Sequence, residues 1–244
     1  MKGFLPSLID ATHYWGKLPK VVLLLDGKWN EFTPKFEPQL KKFETYNCTG
    51  FNTLNALEIL FQARGLSFNF SDRWLGIIAG TKPPGNDPHK ICEAIREHGL
   101  IPEEMLPFSE DLNSIEEYYS FKGANEAECR KVGQQWKKDW DFKHEWISRK
   151  DMEEYLKCSP LNVSVVAWKS EGGLFTKQKG EPDNHWTTCV ASEDYWLIAD
   201  SYLFDDSPFK RLAPDYTFGS IKRYYIVPRT QENWVVDLFK RLFS

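Results

Sequence analysis

The strongest constraint on the fold is a change in hydrophobic period near Pro160. Before this point, apolar residues recur at steps of three and four, which predicts helices over residues 49–64 and 88–98. After it, apolar residues alternate with polar ones or run continuously, as in residues 163–168 and 185–191, and this is typical of antiparallel strands. Helices in the first half and strands in the second predict an α+β fold of two segregated lobes.

The composition excludes several classes of protein. The 244 residues are 41% hydrophobic and 27% charged, as in an ordinary globular chain of one large domain or two lobes. A net charge of −4 gives no electrostatic basis for binding nucleic acid. No stretch approaches the length of about 20 apolar residues that a transmembrane segment needs. The first residues do not resemble a signal peptide, and the five cysteines form no CxxC pairs, so we expect a cytoplasmic protein.

Three side chains at long spacing form a candidate catalytic set. Cys48 stands at the start of the first of these helices, His185 follows 137 positions later, and Asp200 lies 15 positions beyond the histidine. A thiol, an imidazole and a carboxylate are the parts of a nucleophile, its base and an orienting group. The positive end of a helix dipole and a neighbouring imidazolium both stabilise a thiolate. We therefore predict a lowered pKa for Cys48.

A hairpin register would bring the imidazole and the carboxylate together. Residues 193–194 form a plausible two-residue turn, in which Ser192 pairs with Tyr195. Continued along both strands, this register makes His185 and Asp200 diagonal neighbours on one face of the sheet. A slip by one residue would place them on opposite faces.

The motifs around these residues resemble those of papain-like (C1-type) cysteine peptidases, over about residues 34–227. The separation of cysteine and histidine lies in that family's range of roughly 130–150 residues. The matching segments are NCTGF at 47–51, PGNDP at 84–88, EHGLIP at 97–102, GGLF at 172–175, NH at 184–185 and DSY at 200–202. The chain is also similar to uncharacterised C1-like proteins of phage and bacterial genomes. The resemblance implies a papain-like fold, with a helical lobe and an antiparallel β-rich lobe on either side of a cleft.

The resemblance also assigns roles to individual residues. Cys48 takes the place of the nucleophile and His185 that of the base, while Asp200 stands where the family has asparagine. The family's oxyanion-hole glutamine lies six residues before the cysteine, where this chain has Lys42. The nearest glutamine is Gln39, which is our candidate for the oxyanion hole.

The implied reaction is hydrolysis of a polypeptide substrate through a thioester acyl-enzyme. Gly85 is the candidate substrate-binding residue, because a glycine lets a substrate backbone approach closely. We expect no cofactor and no metal, since no group of His and Cys has the spacing of a zinc site. The other histidines are expected to be solvated or to cap helices: His13, His89, His98 and His144. Two alternatives remain open, a non-peptidase Cys-His-Asp acyl-transfer or amidase enzyme and a catalytically inactive papain-like module that holds a peptide.

We divide the chain into three regions. Residues 1–108 form a mainly helical lobe with an N-terminal extension, and no long inhibitory propeptide of the family's type is recognised there. Residues 109–230 form the β-rich lobe, although the polar stretch 109–157 within it predicts exposed helices. Residues 231–244 form an amphipathic tail with an apolar stripe at helical spacing. This tail either docks on the chain's own lobes or binds a protein partner or a membrane surface.

Overall fold

A computed structural model describes residues 3–7, 17–35, 37–168, 170–171, 173–177, 180–204 and 207–229. In these residues the α-helices are α1 (Cys48–Gln62), α2 (Asp72–Ile78), α3 (Pro88–His98), α4 (Ile115–Tyr118), α5 (Glu126–Asp139) and α6 (Met152–Leu156). The strands are β1 (Gly3–Phe4), β2 (Gly85–Asn86), β3 (Trp140–Trp146), β4 (Leu161–Val165), β5 (Ser170–Glu171), β6 (Leu174–Phe175), β7 (His185–Ser192), β8 (Trp196–Phe204), β9 (Ser207–Leu212) and β10 (Ile221–Pro228). The predicted amphipathic tail and His13 lie outside the described residues.

The helix α1 is the centre of the molecule. Every residue from 48 to 61 is buried, because α1 packs against α2 and α3 on one side and against β4, β7 and β8 on the other. Its apolar residues follow the helical spacing that the sequence predicts. Helices that are apolar on all sides belong to a core, but α1 also carries buried polar side chains, which join it to the sheet.

Local signals set the ends of α3 as the sequence predicts. The side chain of Asp87 accepts a hydrogen bond from the His89 N–H at 2.7 Å, and Pro88 occupies the first helical position. Gly99 ends the helix with φ +73°, and a β-carbon on it would lie 2.0 Å from the carbonyl oxygen of Gly133 on α5. Glycine is therefore required there both by the backbone conformation and by the close approach of α5.

The second half of the chain forms an eight-stranded sheet in the order β3-β10-β4-β7-β8-β9-β6-β5. All neighbouring strands are antiparallel except β6 and β9. A separate two-stranded sheet pairs β1 with β2 in parallel. The predicted α+β class, with helices first and an antiparallel sheet second, is confirmed. No helix in the described ranges combines the length and the apolar character needed to cross a bilayer.

The prediction of exposed helices throughout residues 109–157 is wrong for β3. This strand pairs with β10 along its whole length. Its sequence WDFKHEW alternates aromatic or histidine side chains with charged ones, which is the period of a strand with one face on the core. His144 belongs to the core-facing set and is 3% exposed, so the expectation that it is solvated or capping is also wrong.

The turn between β7 and β8 differs from the predicted one. Residues 193–195 separate the strands, and Ser192 pairs with Trp196. The predicted pairing of Ser192 with Tyr195 is therefore wrong by one residue. A three-residue loop is a common hairpin connection, and it is often accompanied by a bulge in one strand.

A bulge at Val190 restores the predicted register beyond the turn. Pairing shifts by one residue between Cys189 and Ala191, so that Thr188 pairs with Ala199. That pair obeys the predicted register, although the pair next to the turn does not. Because side chains alternate between the two faces of a strand, this compensation keeps the end of β7 on the same face as the middle of β8.

Candidate active site

Cys48 begins α1 and is fully buried. Burial raises the pKa of its thiol well above the ordinary value, and the charges of Asp200 and Glu44 raise it further. The backbone N–H groups of Trp186 and Thr49 hydrogen-bond to the sulfur and oppose that rise. The predicted lowering of this pKa therefore does not hold in this structure, because desolvation outweighs the helix terminus and the nearby donors.

His185 and Asp200 meet as the hairpin register predicts. His185 is the first residue of β7, and its Nε2 lies 2.6 Å from Oδ1 of Asp200 on β8. The other carboxylate oxygen accepts a hydrogen bond from Trp168 Nε1 at 3.0 Å and lies 3.0 Å from Lys210 Nζ. Burial alone would raise the pKa of Asp200, but the charges and hydrogen bonds of His185 and Lys210 outweigh it, so the pKa is lowered. Asp200 is therefore an anion held against the imidazole.

The imidazole of His185 keeps one ring nitrogen that Asp200 does not contact. Since Asp200 takes Nε2, the nitrogen left to exchange a proton is Nδ1, which has no hydrogen-bond partner in the described part of the chain. The ring lies between those of Trp168 at 5.8 Å and Tyr202 at 5.2 Å. Cys48 adjoins the histidine through Trp186, the next residue in β7, but no Cys48–His185 hydrogen bond is present among the described residues.

Gln39, the predicted oxyanion-hole residue, is buried beside this set. Its amide nitrogen donates to Glu44 at 2.8 Å and to the Tyr202 hydroxyl at 2.8 Å. Its amide oxygen accepts from the Ser201 hydroxyl at 2.6 Å. Both amide hydrogens are therefore engaged, and one of these bonds has to open before Gln39 can donate to an oxyanion.

The chain's own N-terminal segment lies over Cys48. The ring of Phe4 stacks on Trp186 with centroids 5.6 Å apart and an interplanar angle of 3°. Phe4 and Trp186 form one apolar cluster with Cys48 and Trp146. In this arrangement the thiol is shielded from solvent by side chains of the same molecule.

Gly85, the predicted substrate-binding residue, is the backbone partner of that segment. β1 pairs with β2 through Gly3 and Gly85, and the Leu5 N–H donates to the Asn86 carbonyl at 2.9 Å. Gly85 has φ +143°, and a β-carbon on it would lie 2.1 Å from the carbonyl carbon of Gly3. The close backbone approach predicted at Gly85 is thus present, with the chain's own residues as the partner.

No family model matches the sequence, and no curated protein matches it. The structure is similar to that of xylellain, a cysteine protease from Xylella fastidiosa, with a TM-score of 0.66 and 16% identity over 94% of this chain and 96% of that one. This is the papain-like fold.

Two further solved structures share the papain-like fold. Digestive procathepsin L 3 of the Tenebrio molitor larval midgut has a TM-score of 0.58 and 16% identity, covering 87% of this chain and 72% of that one. A cysteine protease of Carica candamarcensis, solved in complex with E-64, has a TM-score of 0.57 and 16% identity, covering 82% and 96%. At these identities the likeness establishes the fold, and the chemistry has to be argued from the site.

Sequence reasoning missed two charged residues of the site. Lys210 on β9 pairs in register with Ile198, and Asp200 is two residues further along β8, so both charges point to one face. β9 has the sequence SPFKRL, in which Lys210 stands beside Arg211, so nothing in the local sequence marks Lys210 as the buried charge. Glu44 hydrogen-bonds Gln39, the Tyr202 hydroxyl and the Tyr46 N–H, and nothing in its local sequence marks it.

Two groups outside the site bring possible metal ligands within 4.8 Å of one another: His89, Glu93 and His144, and Glu37, Asp72 and Glu103. The first group already has cationic partners. Arg96 and His144 hydrogen-bond Glu93 at 2.9 and 2.8 Å, and Lys222 Nζ lies 3.1 Å from His144 Nδ1. Burial lowers the pKa of His144 to about 3, so this group is a neutral histidine beside a paired carboxylate.

Proposed function

We propose that this protein is a papain-like cysteine peptidase that hydrolyses peptide bonds in polypeptides. The proposal rests on the buried contact of 2.6 Å between His185 and Asp200, with Cys48 adjoining that histidine through Trp186. An anionic Asp200 orients the ring and stabilises the imidazolium that forms when the thiol gives up its proton. The papain-like fold supports the same chemistry.

In the proposed mechanism the thiol proton of Cys48 moves to Nδ1 of His185 as the sulfur attacks the scissile carbonyl carbon. The tetrahedral oxyanion accepts a hydrogen bond from the Cys48 backbone N–H. It accepts a second one from the side-chain amide of Gln39, once that amide has given up one of its present hydrogen bonds. The imidazolium then protonates the leaving amine, which leaves a thioester on Cys48. Water, deprotonated by His185, attacks the thioester and releases the carboxylic acid and the thiol.

Substrate entry requires the N-terminal segment to leave the cleft. Phe4 covers Cys48, and Gly3 occupies the backbone face of Gly85 where a substrate strand would pair. Departure of the segment also admits water, which removes the main cause of the raised Cys48 pKa. The proposed active form is therefore the one with β1 displaced.

Hydrolysis of dye-labelled casein by the full chain and by single variants tests the proposal. Cys48→Ala and His185→Ala are expected to lower kcat/KM by about 10³-fold or more, as loss of a nucleophile or its base does. Cys158→Ser is the control, because Cys158 is a buried cysteine far along the chain that donates to the Glu154 carbonyl, as serine also can. Hydrolysis that survives in Cys48→Ala would refute the assignment of the nucleophile.

Three observations favour a second candidate, a non-catalytic module that holds a peptide in the cleft. The thiol is fully buried, its pKa is raised, and an extended segment of the chain already pairs with β2. A synthetic peptide with the sequence of residues 3–7, added to a chain that lacks those residues, separates the two candidates. Binding of this peptide without hydrolysis of any labelled protein supports the non-catalytic module.

The alternative of an acyl-transfer enzyme has its own test. Mass spectrometry of the products formed in the presence of an added amine distinguishes hydrolysis from acyl transfer.

A further inference from the structure

We propose that the helical lobe contains a Ca²⁺ site, built from the carboxylates of Glu37, Asp72 and Glu103 together with Glu58 and Asn55 beside a small, partly open cavity. The site is separate from the candidate active site and does not depend on the proposed peptidase activity. From the sequence we predicted no metal, because no group of His and Cys has the spacing of a zinc site. The residues of the proposed site are carboxylates and an amide that lie far apart along the chain.

The first observation is the spacing of the carboxylates. One oxygen from each of Glu37, Asp72 and Glu103 lies within 4.8 Å of the other two. Oxygen ligands surround Ca²⁺ at 2.3–2.6 Å, so that ligands on opposite sides of the ion lie up to about 5 Å apart. Three separate segments supply the oxygens: the loop before α1, the first turn of α2 and the short 3₁₀ helix Glu103–Met105.

The second observation is the cavity and what faces it. Its volume is about 20 Å³, which is room for one water molecule or one ion. Glu37, Glu58, Asp72 and Asn55 line it, and the exposed Lys35 stands among the lining residues. Asn55 is 7% exposed, and its amide nitrogen has no hydrogen-bond partner in the described part of the chain. With the amide turned over, Asn55 offers its oxygen to a cation in the cavity.

Hydrogen bonds from the protein hold the carboxylates in place. The Tyr118 hydroxyl donates to Asp72 at 2.6 Å, and the Phe108 N–H donates to Glu103 Oε1 at 2.7 Å. The Phe70 N–H donates to Glu58 Oε1 at 2.8 Å. Glu103 Oε2 is buried and has no partner among the described residues. The carboxylates are therefore oriented by neutral donors and keep oxygen sites for a further ligand.

The third observation is the lack of a salt bridge. None of the four carboxylates forms one within the described ranges, although Glu58, Asp72 and Glu103 are buried and Glu37 is half-buried. Arg73, next to Asp72, gives its N–H groups to backbone carbonyls, including Tyr118 and Pro107. Lys41 donates to the Phe108 carbonyl at 2.6 Å. Arg73 and Lys41 are thus engaged by backbone carbonyls, while the exposed Lys35 stands at the cavity without a salt bridge to these acids within the described ranges.

Buried carboxylates without a counter-ion either take up protons or bind a cation. Ca²⁺ fits better than its competitors, since it accepts six to eight oxygen ligands in irregular geometry. Mg²⁺ requires a near-octahedral shell, and Zn²⁺ favours nitrogen and sulfur ligands.

Ca²⁺ bound here would brace the start of α1. Asn47, the residue before Cys48, donates to the Asp72 carbonyl and to the Tyr118 hydroxyl, both at 3.0 Å. The same hydroxyl donates to the Asp72 carboxylate. Ca²⁺ bound at Asp72 should therefore stabilise the folded protein through the hydrogen bonds among Asp72, Tyr118 and Asn47, which position the N-terminus of α1.

Titration of the metal-stripped full chain with CaCl₂ tests the proposal by calorimetry and by thermal unfolding. We expect one site per chain and a rise in Tm of about 5–10 °C at a hundredfold excess over Kd. Glu103→Gln and Glu37→Gln are expected to weaken Ca²⁺ binding by about tenfold or more. Glu104→Gln is the matched control, because Glu104 is the exposed neighbour of Glu103 and should bind as the wild type does.

Two results would overturn the site. One is the absence of binding heat and of any Tm shift in the wild type up to about 10 mM Ca²⁺, above the weakest affinities of calcium modules. The other is wild-type binding in both Glu→Gln variants. Glu37 is half-buried in a loop, so its variant tests the site even if Glu103→Gln does not fold. If the wild type does not bind Ca²⁺ and the two Glu→Gln variants are more stable than the wild type without metal, the carboxylates form a protonated acid cluster instead.

Discussion

The carboxylate of Asp200 lies among three partners in a part of the protein closed to water. Its side chain is 0% exposed and that of Lys210 is 1% exposed, so the pair between them is fully desolvated. His185 and Trp168 complete the surroundings of the carboxylate. Removing one member of a buried ion pair is costly because the other is left as an uncompensated buried charge. Asp200 therefore has a structural role in addition to the proposed catalytic one.

At this scale we predict that Asp200→Asn lowers the free energy of unfolding by about 3–5 kcal/mol at pH 7. Lys210→Met in the same chain should recover part of that loss, because it removes the orphaned charge. The folded-state pKa of Asp200 lies below its ordinary value of 3.8, so its contribution is complete above that pH and disappears as the pH falls through the folded-state pKa.

Urea unfolding of the two single variants and the double variant at pH 7, 5 and 3 checks this prediction. The difference in the free energy of unfolding between the wild type and Asp200→Asn should be equal at pH 7 and 5. It should become smaller as the pH falls below 3.8, the ordinary pKa of aspartate. Strict additivity of the two substitutions would contradict a direct coupling between the two charges.

At the scale of elements, α1 and the sheet are joined by buried amides. The Asn52 amide nitrogen lies 3.0 Å from the Cys48 carbonyl, 2.7 Å from the Trp186 carbonyl and 3.1 Å from the Ser201 hydroxyl. Asn162 on β4 donates in turn to the Asn52 carbonyl at 2.9 Å. These bonds connect the helix that carries the cysteine to the strands that carry the histidine and the aspartate.

We predict that Asn52→Leu lowers the free energy of unfolding by about 2–4 kcal/mol, because it leaves the Trp186 carbonyl and the Ser201 hydroxyl buried without their donor. Gln62→Leu is the control, since Gln62 is exposed at the end of the same helix and should stay within about 0.5 kcal/mol of the wild type. Thermal and urea unfolding measure both. A loss in Asn52→Leu no larger than in the control would show that the amide does not hold the helix to the sheet.

The elements also show where local sequence is sufficient. α3 is bounded by Asp87, Pro88 and Gly99, whose conformational preferences act within a few residues, so its ends could be predicted. β3 was missed because its charged positions were weighed more than its alternation. The predicted hairpin loop was one residue too short, because nothing in the sequence at Val190 indicates the bulge that accompanies the longer loop. A bulge depends on how two strands twist against each other.

At the scale of the whole molecule, the N-terminal segment and the cleft form one closed unit. β1 is only two residues long, and it is held by pairing with β2 and by the contact of Phe4 with Trp186. From the sequence, this extension belongs to the lobe of the nucleophile and has no assigned role in the site. In the structure its Phe4 packs in the apolar cluster that contains Cys48.

We predict that Phe4→Ala accelerates alkylation of Cys48 by iodoacetamide by roughly 10- to 100-fold, since burial of a phenyl ring contributes about 1.5–3 kcal/mol to the closed form. Pro6→Ala is the control, because Pro6 is exposed on the same segment and should label at the wild-type rate. Mass spectrometry of peptides gives the rate at each cysteine, with Cys158 as the internal reference. Equal rates for Cys48 in the two variants would contradict a cover formed by Phe4.

The α+β class, the main helices, the core strands and the pairing of His185 with Asp200 follow from local sequence, because periodicity, caps and strand alternation act over short stretches of chain. The folded molecule sets the surroundings of Cys48, where burial reverses the pKa shift that the helix terminus favours. It also decided the partners of Gln39 and Asp200 and the cover formed by Phe4. Desolvation and long-range contacts set these features, and both depend on residues that are distant in sequence and meet only when the chain has folded.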